Sequence, residues 1–147
     1  MASPYQLGGT FDPAKPVRLE GNLLGLGSIA SSGTLGIGYA TGAGGAVTQA
    51  TSKSTAVTLN RICGQITMNG AALANAAEVA FTVNNSLVAA TDVPVVAIAS
   101  AATSGAYFVT VQAVAAGSFS INVGNASAGS LSEALVLNFV VIKGVAL

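Results

Sequence analysis

The stretch LSEALVLNFVVIKG, residues 131 to 144, holds nine apolar residues among its fourteen. Successive side chains of a strand point to opposite faces. Read that way, Leu135, Leu137, Phe139 and Val141 go one way and Ala134, Val136, Val140 and Ile142 the other. A strand at a water-facing surface alternates apolar with polar residues, so this one needs cover on both sides. One parity can fill a core. The other needs a second layer, an arm of the same chain or a partner.

Period two recurs through the second half of the chain. Val79, Phe81 and Val83 alternate with Ala80 and Thr82. Tyr107, Val109 and Val111 alternate with Phe108, Thr110 and Gln112, and Phe119, Ile121 and Val123 alternate with Ser120 and Asn122. The Gly-containing connection VAAGSF, residues 114 to 119, predicts a hairpin joining strands near 106–114 and 118–123. AVTQA, AVTLN and RICGQITM give three further strands, with the apolar parity switching near Asn60 and Arg61, where a bulge or turn is expected. VPVVAI, residues 93 to 98, is another, and Pro94 assigns it to an edge or a strand start. Only NGAALANAAEV, residues 69 to 79, has the alanine content for a short helix. The expected fold is all-β, an antiparallel two-sheet sandwich of jelly-roll type occupying residues 36–147. Residues 1–35, with Pro4, Pro13, Pro16 and weak periodicity, are expected to form an extended N-terminal arm.

Charge bounds the functions. Five Lys plus Arg balance five Asp plus Glu in 147 residues, 7% in all, where soluble domains carry about 25%. The scattered basic residues argue against a nucleic-acid partner, which needs clustered Lys and Arg to displace counterions. Zero net charge removes the repulsion that keeps monomers apart and favours self-association into a dimer or trimer. No run of about 18 apolar residues exists, so no membrane helix is expected. The N-terminus lacks the basic and apolar regions of a secretory signal, which implies synthesis in the cytoplasm.

Catalytic equipment is sparse. The chain has no His and one Cys, Cys63, which excludes a Ser-His-Asp or Cys-His site and a zinc site. Cys63 is expected as a small buried strand residue. Asp12, Glu20, Glu78, Asp92 and Glu133 are far apart in sequence and read as solvated charges, so no enzyme, metal or cofactor is expected. The glycine-rich GTLGIGYATGAGGA, residues 33 to 46, matches no phosphate-binding spacing. The N-x-Ser matches at Asn84 and Asn125 read as chance.

The strings FTVNNSLVAATDVPVVAI and AYFVTVQAVAAGSFSINVGNASAGSLSEALVLNFVVIKG, with GYATGAGGAVTQATSKSTAVTLNRICGQITM before them, resemble a β-sandwich module of tailed-phage structural proteins over about 105 residues. The whole chain resembles the head decoration, or cement, proteins of tailed bacteriophages, short-tailed phages among them. The resemblance implies a jelly-roll protein on the virion exterior, made in the host bacterial cytoplasm, that binds the major capsid protein and ties neighbouring subunits together. Tyr5, Leu7, Phe11 and Val17 of the arm, and Val136, Val140 and Ile142 of the last strand, are the expected interface residues. The module also occurs on tails and fibres. The alternative is therefore a module that binds a host-surface glycan, a role that calls for exposed aromatic platforms in a chain without Trp.

Overall fold

The computed structural model describes residues 38–39 and 41–145. The expected arm, with Tyr5, Leu7, Phe11 and Val17, lies outside the described residues. Eight strands follow in order: β1 (Ala46–Thr48), β2 (Val57–Thr58), β3 (Cys63–Thr67), β4 (Glu78–Asn84), β5 (Val93–Ser100), β6 (Tyr107–Ala115), β7 (Ser118–Asn125) and β8 (Val136–Ile142). They form two four-stranded sheets, ordered β1-β3-β8-β5 and β2-β4-β7-β6. The fold is an all-β, two-sheet sandwich. Six of the seven connections pass from one sheet to the other, and only β6 to β7 stays within a sheet.

The main pairings are antiparallel, but the two shortest strands differ. β1 pairs parallel to β3 and β2 pairs parallel to β4, so each sheet carries one parallel edge strand. Jelly-roll connectivity is not confirmed by this order. No helix occurs among the described residues, which corrects the expectation for residues 69–79. Leu73, in the middle of that stretch, is 6% exposed and makes an isolated antiparallel bridge with Leu131. Burial of one leucine outweighs the modest helix preference of its alanine neighbours.

Alternation builds the core as the sequence pattern predicts. Leu135, Leu137, Phe139 and Val141 of the last strand and its approach are at most 4% exposed, as are Phe81 and Val83 of β4 and Phe119, Ile121 and Val123 of β7. The rings of Phe119 and Phe139, one from each sheet, meet at 5.5 Å between centroids and 57° between planes. This is a tilted pair of the kind aromatic quadrupoles favour. The β6–β7 hairpin closes at Ala116-Gly117, where Gly117 takes φ of 83°, a left-handed conformation that glycine adopts without a Cβ penalty. β5 is an edge strand, as Pro94 predicts, because proline cannot donate to a ladder.

Buried polar groups key the loops. Lys53, 3% exposed, donates from Nζ to the carbonyl oxygens of Asn69 at 2.7 Å and Glu133 at 2.6 Å. Its desolvation holds the ammonium below the usual lysine range, partly offset by the Glu133 charge. Asn125, 1% exposed, donates to Leu73, Ala74 and Gly129 and accepts from Ser127. Its amide is enclosed in this turn.

Candidate functional site

The second parity of β8 lies on the outer surface of its sheet. Register across the sheet places Ile142 opposite Val93, and Val140 between Val95 and Cys63. One row on, Asn138 lies between Ala97 and Gln65, and Val136 lies between Ser100 and Thr67. Val93, Val95 and Ile142 are 55%, 46% and 54% exposed, whereas Val136 and Val140 are half-buried by their neighbours. The sequence thus placed Val136, Val140 and Ile142 together on one outer face. Cys63 departs from its expected burial: it stands half-buried on this face of β3, because Gly64 and Ile66 take the inward parity.

This face is apolar toward the end of β8. Seven large apolar side chains are exposed among the described residues: Tyr39, Leu87, Val93, Val95, Phe108, Ile142 and Val145. Six lie at or beside the C-terminal end of β8. Val93, Val95 and Ile142 belong to the paired rows. Tyr39 donates its hydroxyl to the Val141 carbonyl at 2.8 Å, the Leu87 carbonyl accepts from Lys143 Nζ at 2.8 Å, and Val145 follows directly in the chain. Toward the other end the face turns polar, with Gln65 donating to Asn138 Oδ1.

A polar clasp sets the geometry of the apolar end. Asp92, whose carboxylate is enclosed, accepts from the backbone N–H groups of Ala89 at 2.8 Å and Gly144 at 3.1 Å and pairs with Lys143. The Ala89 N–H, then Lys143, hold its carboxyl below the usual range against the opposing effect of burial. Gly144 is required here by close approach, since a Cβ would lie 2.0 Å from the Thr91 carbonyl oxygen. The clasp binds the β4–β5 connection to the end of β8, so Leu87, Val93 and Ile142 are held in fixed relation.

The other outer face, that of β2-β4-β7-β6, has a different composition. Its outward residues include Glu78, Thr82 and Asn84 of β4, Ser118, Ser120 and Asn122 of β7, and Thr110 of β6. Asn122 donates its amide to Glu78 Oε2 at 2.6 Å. Tyr107 is half-buried: its ring packs against the core cluster while its hydroxyl donates to Glu133, which also accepts from Thr103. Desolvation and the Glu133 carboxylate push this phenol up to about 12. The three carboxylates among the described residues, Glu78, Asp92 and Glu133, are each engaged in hydrogen bonds to side chains.

No protein family, curated protein or solved structure matches the chain.

Among the described residues no group of three or more His, Cys, Asp and Glu lies together, and no helix is long and apolar enough to cross a membrane. What the β5–β8 face offers chemically is apolar area with a fixed shape. Val93, Val95, Leu87, Tyr39 and Val145 were not singled out in the sequence, although VPVVAI carries the same two-parity signal as β8.

Proposed function

We propose that the protein is a structural virion component that seats the β5–β8 face on the outer surface of a phage capsid lattice and cements neighbouring major capsid subunits. The observation that carries this reading is the gathering of six of the seven large apolar side chains exposed among the described residues at one end of one sheet, in a sandwich whose opposite face is mainly polar apart from Phe108. Each half-exposed Val or Ile that becomes fully covered contributes about 1 kcal/mol, roughly half the value for burying a whole side chain. A patch of this size makes a modest contact on its own, below the ~800 Å² per partner usual for specific complexes. Repetition over a closed shell multiplies such contacts into stable attachment. Low charge suits the role, because little ionic desolvation opposes contact and self-association.

Copy number tests the proposal. In virions carrying this chain, quantitative mass spectrometry is expected to find hundreds of copies, near parity with the major capsid protein. A few dozen copies or fewer removes the chain from the shell, and complete absence removes it from the particle.

A further inference from the structure

The seventh exposed apolar side chain, Phe108, stands apart from the other six. It lies on the outer face of β6, 41% exposed, in a strand whose inward parity is Tyr107, Val109 and Val111. Its register partner on β7 is Gly124, and the ring lies across that glycine. A Cβ at position 124 would fall 2.0 Å from Phe108 Cζ and 2.2 Å from Cε1. Glycine therefore makes room for the end of the ring over the β7 backbone, while 41% of the side chain stays exposed.

What surrounds the ring is polar and hydrogen-bonding. Glu78 of β4 sits on the far side of Gly124 in the same row, and Thr110 and Asn122 occupy the next row. The hydrogen bond from the Asn122 amide to Glu78 Oε2 orients both groups. No Lys or Arg occurs on any strand of this sheet, so the face does not suit a phosphate or another anion. One aromatic ring in a hydroxyl, amide and carboxylate surround is also too little apolar area for a protein partner.

We infer that this face binds a neutral glycan, with Phe108 as the stacking platform and the exposed Glu78 and Thr110 as partners for hydroxyl groups, while Asn122, 5% exposed, holds Glu78 in place from beneath. A pyranose presents C–H groups on one face of its ring and hydroxyls at its rim, which matches an aromatic surface edged by acceptors and donors. With its ring over Gly124 of β7, Phe108 lies about one strand spacing, roughly 5 Å, from Glu78 of β4, within reach of the rim hydroxyls of a single stacked pyranose. One ring stack is a weak contact, so the occupant is a repeating cell-surface polysaccharide rather than a free sugar. The two outer faces of a sandwich point in opposite directions, so a domain seated by its β5–β8 face presents this one outward.

The test is an NMR titration of the full-length, isotopically labelled chain with methyl β-D-galactopyranoside and with cellobiose. Shifts saturating in the millimolar range at the amides of Phe108, Thr110, Asn122 and Gly124, with at least one of the two sugars, are expected. Phe108→Ala is expected to weaken binding about tenfold, the scale of one aromatic contact. Because removing the ring also uncovers Gly124, two further variants keep the readout on binding. Phe108→Trp is expected to tighten it and Glu78→Gln to weaken it, both with unchanged amide dispersion. No shift with either sugar, shifts elsewhere, or equal affinity in Phe108→Ala and Phe108→Trp overturns the inference.

Discussion

Phe139 of β8 faces Gly64 of β3 across the sheet, and the ring fills the space that a side chain at position 64 would take. A Cβ there would lie 2.8 Å from the Gly45 carbonyl oxygen, 2.7 Å from Leu59 Cδ2 and 3.1 Å from Phe139 Cε1. Since one of these neighbours is backbone, the crowding has no easy relief. Gly64→Ala is expected to destabilise the fold by about 1–3 kcal/mol, the usual range for overpacking. Urea denaturation should show a lower midpoint with unchanged slope.

Lys53 supports a second prediction. Its ammonium is the hydrogen-bond partner of two backbone carbonyls, at Asn69 and Glu133, which are far apart in sequence. Around it, Gln49 donates to the carbonyls of Lys53 and Thr55 and accepts from the Asn69 N–H. Lys53→Met keeps most of the buried stem and removes the donors. Each orphaned buried acceptor costs about 1–3 kcal/mol, so the variant is expected to lose at least 2 kcal/mol in chemical denaturation.

The contrast between these sites shows what is legible in sequence. β8 and the β6–β7 hairpin announce themselves because their signals are local: two apolar parities in one run, and a glycine between two alternating segments. β1 and β2 are three and two residues long and owe their existence to β3 and β4, so their parallel pairing has no local signature. The buried lysine is equally non-local, since its acceptors lie 16 and 80 residues away. Alanine content misdirected the reading of 69–79, where the contact of Leu73 with Leu131 decides the conformation. The outward placement of Phe108 follows from the parity of Val109 and Val111, but the glycine that seats its ring is 16 residues further on.

Titration of four groups gives a pH profile. Asp92 and Glu133 are both held below their ordinary values of 3.8 and 4.5, so the fold favours their ionised forms. Their stabilisation is complete above about pH 4.5 and is lost as pH falls through the lower folded values. Tyr107 is displaced the other way, from 10 to about 12. Its stabilisation is complete below pH 10 and disappears as pH rises toward 12. Lys53, held below the usual lysine range, acts oppositely: its burial penalty is full at lower pH and is relieved as pH rises through its folded value toward 10.5. The thermal unfolding midpoint is therefore expected to fall on the acid side and, on the alkaline side, to rise with Lys53 deprotonation before the Tyr107 loss sets in. Asp92→Asn should flatten part of the acid limb, and Tyr107→Phe should remove the late phenolate absorbance.

The β5–β8 face can be separated from the fold by charge substitution. Val95 and Ile142 are about half exposed, so Val95→Lys and Ile142→Lys place the ammonium in water and are expected to change stability by no more than about 0.5 kcal/mol. Val140, half-buried in the same row as Val95, carries a larger cost because its neighbours must part around the lysine stem. If this face is the contact with the capsid lattice, all three variants should fold yet fail to co-sediment with capsids lacking the protein, since each leaves a charge to be desolvated in the contact. Thr110→Lys, on the opposite outer face, should co-sediment as wild type does. Wild-type co-sedimentation by Val95→Lys and Ile142→Lys would remove this face from the contact. Wholesale unfolding of Val140→Lys would mean that the second parity of β8 is covered within the subunit.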